Sequence, residues 1–198
     1  MRLKLSLMTV LCCLLFSSFL FANNDPEKIT IVLDAGHGGK DFGAKNSSFI
    51  EKDYTLEIVK EIKKRNTNAN IEIILTRHSD QFLELVERSA LINEINPKYF
   101  ISVHLNSSNN KIKNGYEVFH FPQNAEAKIL AEDFMKNVNY PVENLGVKSA
   151  NFHILRETKV PGILYEVGFI SNDKDASYIT SEEGKEKIIS EILKFIQK

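Results

Sequence analysis

A chain of 198 residues with 43% hydrophobic side chains has the length of one domain and enough apolar material for a single core. With 25 Lys and Arg against 26 Asp and Glu, and no long run of like charge, its electrostatics give no reason to expect nucleic acid or a membrane surface as partner.

Residues 1–22 differ in kind from the rest. Arg2 and Lys4 precede an almost wholly apolar run, Leu5 to Phe21, which closes at Leu20-Phe21-Ala22 before the polar Asn23-Asn24-Asp25-Pro26. This reads as a secretory signal peptide cleaved after Ala22, with an uncleaved anchor as the rival reading. Residues 23–27 form a short polar lead-in, and residues 28–198 one domain. Both cysteines, Cys12 and Cys13, lie within the leader and lack the small-residue pattern of a lipoprotein signal. The mature chain then has no disulfide or thiolate ligand, leaves histidine and carboxylate as the strong metal ligands, and carries 23 basic against 26 acidic side chains. It is expected to be exported to the periplasm, or else outside the cell or on its wall, with no stable membrane insertion after cleavage.

Ile29-Thr-Ile-Val-Leu-Asp-Ala-Gly-His-Gly-Gly39 opens as a strand buried on both faces, reaching Asp34, and breaks into glycines around His37. The loop from Ala35 to Ile50 leads to a helix over Glu51 to Arg65, with Tyr54, Ile58, Val59 and Ile62 at helical spacing. Ile71 to Thr76 is a second strand. A second helix runs from Phe82 to Ile95 with Leu83, Val86, Ala90 and Leu91 on one side, and stops at Asn96-Pro97. Tyr99 to His104 is an apolar strand ending in a histidine. After a polar loop, Asn106 to Gly115, come a strand at Tyr116 to Phe121, a helix at Ala125 to Val138 and a short strand at Phe152 to Leu155. Pro161-Gly162 leads into a strand carrying Glu166, and Ser181 to Gln197 closes the chain as a helix with Ile188, Ile189, Ile192, Leu193 and Ile196 inward. The alternation predicts a single-domain α/β fold, a mostly parallel sheet with helices on both faces.

Three apolar runs therefore end in chemistry: His37, His104 and Glu166. As parallel strands of one sheet they would meet at one rim, the edge where open α/β sheets build their sites. Glu51, at the start of the first helix, could reach the same rim. Two imidazoles and a carboxylate form an open ligand set for a divalent metal, zinc above all, with a fourth position left for water.

Taken together, Asp34-Ala-Gly-His-Gly-Gly, a glutamate fourteen residues after that histidine, Thr76-Arg77 with Asp80, Ser102-Val-His104-Leu-Asn-Ser and Glu166-Val-Gly-Phe-Ile-Ser-Asn resemble the zinc-dependent N-acetylmuramoyl-L-alanine amidases of the Amidase_3 type. The resemblance runs in order over Ile29 to Lys198. It implies that His37, Glu51 and His104 bind Zn2+, that Glu166 is the catalytic carboxylate, and that the substrate is peptidoglycan, cut between N-acetylmuramic acid and the L-alanine of the stem peptide. Glu166 would accept a proton from water and pass it to the leaving nitrogen. Leu105 to Tyr165 lacks the inserted helix that plugs the site in some relatives, so an open site is expected.

Arg77 and Asp80 match a family motif and are expected to fix the turn leading into the next helix. Asn106 and Arg156 lie nearer the rim as candidate binders of a peptide carboxylate or a sugar. His78, His120 and His153 are expected to be structural or solvent-facing. The chain is expected to act as a monomer. A zinc peptidase working within the stem peptide and a non-catalytic wall-binding regulator are the competing functions; four intact site residues argue against the latter.

Overall fold

The computed structural model describes residues 28–198; the leader at 1–22 and the lead-in at 23–27 lie outside the described residues. Along the chain come strand β1 (Ile29–Ala35), helix α1 (Glu51–Arg65), β2 (Ile71–Leu75), α2 (Leu85–Ile95), β3 (Tyr99–Asn106), β4 (Tyr116–His120), α3 (Ala125–Asn137), β5 (Asn144–Ser149), α4 (His153–Glu157), β6 (Gly162–Phe169), α5 (Asp173–Ile179) and α6 (Glu182–Ile196). The strands form one sheet in the order β2-β1-β3-β6-β4-β5. Every neighbouring pair is parallel except β4 with β6. The mostly parallel sheet expected from the alternation is therefore present, with helices on both faces.

The two faces are unequal. Alternate residues of the central strands, Ile31, Leu33, Ile101, Val103, Ile163 and Tyr165, share the large core with α1, α3 and α6. The opposite face holds a small core of Val32, Phe100 and Leu164 under Ile92 of α2 and Ile154 and Leu155 of α4. Because side chains alternate along a strand, Asp34, Ser102, His104 and Glu166 all fall on this thin face, toward the carboxyl ends of β1, β3 and β6. The fold thus leaves room there for polar groups and a ligand.

Local chemistry supports the elements. Helix α1 carries Glu51 and Asp53 in its first turn and Lys63, Lys64 and Arg65 in its last, which suits the helix dipole. Helix α2 begins at a capping box in which the Glu84 N–H donates to Glu87 Oε2 at 2.7 Å. It ends at Asn96, whose φ of 50° is left-handed, ahead of Pro97.

Four expectations need correction. Phe152 to Leu155 is not a strand: residues 153–157 are helix α4, and Ile154 and Leu155 are both buried, which two successive residues of a one-sided strand would not be. The inward face of α2 is not Leu83, Val86, Ala90 and Leu91. Val86 is 62% exposed and the helix buries Arg88, Ser89 and Ile92, because Arg88 turns inward to the carboxylate of Asp34. Strand β5, a mostly polar edge strand with Gly146 at a φ of 79°, was not anticipated, since its alternation is only Leu145 and Val147 on either side of a glycine. Nor was α5, too short and polar for a periodic signal; its mark is Asn172, whose side chain accepts from the Lys174 and Asp175 N–H groups.

Candidate metal centre

At the end of β1 the backbone passes directly over the ring of His104. A Cβ on Gly36 would sit 2.4 Å from His104 Cε1, so only glycine fits there. His37 then takes a φ of 62°, a left-handed conformation that costs a non-glycine residue about 1 kcal/mol or more. Several bonds hold it. Gly38 and Asp41 exchange backbone hydrogen bonds of 2.9 and 3.1 Å, and Arg88 Nη2 donates to the His37 carbonyl. Asp80 accepts from the Gly39 N–H at 2.7 Å and from Lys52 Nζ at 2.7 Å. The fully buried Arg77 donates to the carbonyls of Ala35, Gly36 and Lys52 at 3.0, 2.8 and 2.7 Å. Arg77 and Asp80 thus fix the loop that carries His37, through bonds to Ala35, Gly36, Gly39 and Lys52, rather than only the turn leading into α2.

The loop delivers His37 to Glu51, at the first position of α1. His37 Nε2 and His104 Nδ1 each lie 3.0 Å from Glu51 Oε1, and the two rings stand edge-on with centroids 4.9 Å apart. Glu51 is 2% exposed, and its oxygens also accept the Ala44 N–H at 2.6 Å and the Leu105 N–H at 2.9 Å. On the far side of His37, Nδ1 lies 2.8 Å from Asp41 Oδ2. An ionised carboxylate only accepts, so Nδ1 carries a proton toward Asp41, and in the absence of a cation Nε2 carries one toward Glu51 as well. A carboxylate behind a histidine in this way orients a metal ligand and raises its basicity.

One ligand atom from each of His37, Glu51 and His104 can be chosen so that all lie within 4.8 Å of one another. Donors about 2.0 Å from a single tetrahedral ion sit roughly 3.3 Å apart, so the set is close to the spacing a divalent cation would impose. The electrostatics agree. Burial works to raise the Glu51 carboxyl, but the two imidazoles bonded to it win and hold it well below the usual carboxylate range. Burial likewise works against a charged His37, yet the bonds to Glu51 and Asp41 raise it to about 9. The site attracts positive charge, and a cation would displace the protons that otherwise supply it.

Glu166 stands beside this group. Its Cα pairs with that of His104 across β3 and β6, placing both side chains on one face, and its Oε2 is buried without a hydrogen-bond partner among the described residues. Burial pushes the Glu166 carboxyl up to about 7, with His104 pulling it down and Glu51 and Glu117 pushing it further up. A buried polar atom without a partner is unusual enough to mark a place where a substrate or water belongs. The four groups open into a cavity of about 560 Å³. A second cavity, about 400 Å³, lies between Tyr99 and Phe195 at the start of β3 and holds none of these groups.

The other candidates fall elsewhere. Asn106 does not line the cavity; its Nδ2 donates to Glu117 Oε1 at 2.6 Å, and Glu117 is also paired with Lys148. Arg156 does not line it either, since its guanidinium donates to Asn151 Oδ1 at 2.9 Å and Glu157 Oε1 at 2.7 Å. His78 is exposed, and buried His120 bonds the Phe121 carbonyl. His153 departs from expectation by lining the cavity, 3.4 Å from Ser89 Oγ. Sequence reasoning missed Asp41 and Arg88. An acidic residue four places after His37 in a glycine-rich loop, and Asp34 closing an apolar strand in need of a cation, were the available signals.

Gly36→Ala tests how tightly the loop sets the site. The added methyl must displace the His104 ring, and metal affinity is expected to fall by about tenfold or more with little change in fold content. Titration with a divalent cation, followed beside circular dichroism, checks it. Unchanged affinity would mean that the ring has room to move.

Comparison with known proteins gives a consistent result. The family described as N-acetylmuramoyl-L-alanine amidase, Amidase_3, matches residues 31–198. The chain is 34% identical over 160 residues to N-acetylmuramoyl-L-alanine amidase CwlM of Bacillus licheniformis, covering 77% of this chain and 61% of that protein. It is 30% identical over 225 residues to the germination-specific N-acetylmuramoyl-L-alanine amidase of Bacillus subtilis (strain 168), covering 99% of this chain and 95% of that protein. Among solved structures, the catalytic domain of CwlV, an N-acetylmuramoyl-L-alanine amidase from Bacillus (Paenibacillus) polymyxa var. colistinus, superposes with a TM-score of 0.80 at 32% identity, over 85% of this chain and 96% of that one. The chain thus spans less than two thirds of the CwlM relative's length but nearly all of a solved catalytic domain.

Proposed function

This chain belongs to the Amidase_3 family of N-acetylmuramoyl-L-alanine amidases, and from that premise we propose that it hydrolyses the amide between N-acetylmuramic acid and the L-alanine of the peptidoglycan stem peptide. His37, Glu51 and His104 would hold the metal, zinc by the nature of the donors, and Glu166 would move the proton. The observation that carries the reading is the partnerless Glu166 Oε2 beside a His-Glu-His group whose donors converge. Held by His37, Glu51 and His104, a zinc ion would supply Lewis-acid polarisation of the amide carbonyl and a water acidic enough to react near neutral pH.

The protein's own groups do the rest. Glu166 accepts a proton from the attacking water and returns it to the departing alanine nitrogen. A carboxyl poised near 7 suits both halves of that task, since it neither holds nor refuses the proton strongly. Asp41 keeps the His37 ring oriented through Nδ1, and Glu51 is fixed by two backbone N–H groups as well as by the imidazoles. Among the described residues no helix is long and apolar enough to cross a membrane, and the Arg2-Lys4 leader supports export to the periplasm, where the substrate lies.

Mass analysis of digested peptidoglycan separates this reading from its rivals. Release of intact stem peptides from sugar is expected. Shortened stems still attached to glycan would identify a peptidase, and no cleavage by metal-loaded protein would leave a wall-binding role.

A further inference from the structure

Opposite the His-Glu-His group, the cavity has a wall of another character. Phe82, Leu83 and Leu85 ahead of and in α2 face Phe152 and Ile154 around the start of α4, with Leu164 below them. Leu85 is 57% exposed and Phe152 40% exposed, although neither lies at a chain end. Phe152 is not loose: it packs edge-on against Phe119, centroids 5.3 Å apart at 75°. An exposed apolar patch continuous with a polar reaction centre marks a binding surface.

The charges around the wall limit what it can bind. Of the cations lining the cavity, Arg88 is committed to Asp34 Oδ1 at 2.7 Å and to the carbonyls of Ala35 and His37. Glu84, at the mouth beside Leu85, has a side chain 61% exposed. Lys40, whose ammonium lies 4.2 Å from the centroid of the Phe82 ring, is 4.0 Å from that same Glu84 and is offset by it. The wall therefore offers apolar surface whose neighbouring charges, Glu84 with Lys40 and Arg88 with Asp34, are already paired. The stem peptide beyond its first alanine carries free carboxylates, which among the described residues find no unpaired cation on this wall. The muramic acid half presents the C–H faces of a sugar ring, an acetamido methyl and a lactyl methyl, which aromatic and aliphatic side chains accept.

We propose that the wall of Phe82, Leu85, Phe152 and Ile154 binds the glycan side of the scissile amide, seating uncharged sugar faces against Phe152 and Leu85, and so lets the protein distinguish glycan-attached stem peptides from free ones. This rests on the amidase reading above. The glycan strand then crosses the mouth between α2 and α4, and the stem peptide leaves the His-Glu-His group on the side away from this wall.

The test compares two substrates with the same scissile bond: a stem peptide on a short glycan oligomer, and an N-lactoyl stem peptide without sugar. The native protein is expected to favour the first, and Phe152→Ala or Leu85→Ser to cut the ratio of the two kcat/KM values about tenfold, through KM. An unchanged ratio in both variants overturns the proposal. If the native protein cleaves neither substrate, the amidase reading fails, and calorimetric titration with a peptide-free glycan tetrasaccharide decides the wall separately. Binding weakened about tenfold by Phe152→Ala upholds it, and no binding, or binding unaffected by the substitution, overturns it.

Discussion

Glu166→Gln is expected to keep the metal and lose hydrolysis by a factor of about 10² to 10⁴. Glutamine reproduces the size of the side chain and leaves His37, Glu51 and His104 untouched, so the ligand set survives. What it removes is an oxygen able to take and return a proton. The structure leaves Glu166 Oε2 without any competing partner, so its availability is not shared with another bond. The loss should appear in kcat, with KM little changed. His104→Ala supplies the contrast: it removes a ligand and is expected to lose metal and activity together. A Glu166→Gln variant hydrolysing peptidoglycan at near the native rate would exclude Glu166 as the proton carrier.

The second large effect is on stability. Arg88 and Asp34 form a buried ion pair at 2.7 Å, the two side chains 4% and 1% exposed. Thr76 and Ser102 hydroxyls each donate to Asp34 at 2.6 Å. Burial tends to raise the Asp34 carboxyl, but Arg88 and the two hydroxyls outweigh it and hold the value below normal. Arg88→Met strands a buried carboxylate without its counter-charge, which typically costs about 3 to 5 kcal/mol. Against a total stability of about 5 to 15 kcal/mol, that brings the domain close to unfolding. The pH dependence follows in sign. A carboxyl whose folded value is depressed contributes stability above its unfolded value, about 3.9, and loses it as pH falls through the folded value. Without Arg88 the folded value rises, so the stranded carboxylate takes up a proton more readily and the deficit relative to the native protein should narrow as pH falls. Urea unfolding across pH 3 to 7 measures both, and a loss below about 1 kcal/mol would mean that the hydroxyls alone satisfy Asp34.

Much of this was legible because the central strands are buried on both faces. β1, β3 and β6 announce themselves as continuous apolar runs, and each ends in the residue that matters: His37, His104 and Glu166. Glu51 was legible as the first residue of a periodic helix. Hydropathy could not show that α2 turns an arginine inward, because the reason is Asp34, fifty-four residues away in sequence. The same blindness hid the wall. Leu85 and Val86 look like core residues by type, and only the direction that Arg88 imposes on α2 exposes them, Leu85 on the wall of the cavity that holds the His-Glu-His group. Phe152-His-Ile-Leu155 reads as a strand by composition, but its apolar residues pack as a helical turn on the thin core.

The central claim, a metal-dependent amidase whose ligands are His37, Glu51 and His104, is tested most directly by metal content and stem-peptide release measured together on purified residues 23–198, with and without a chelator. The account predicts one zinc per chain, release abolished by the chelator and restored by zinc. Undiminished release from metal-free protein would contradict it.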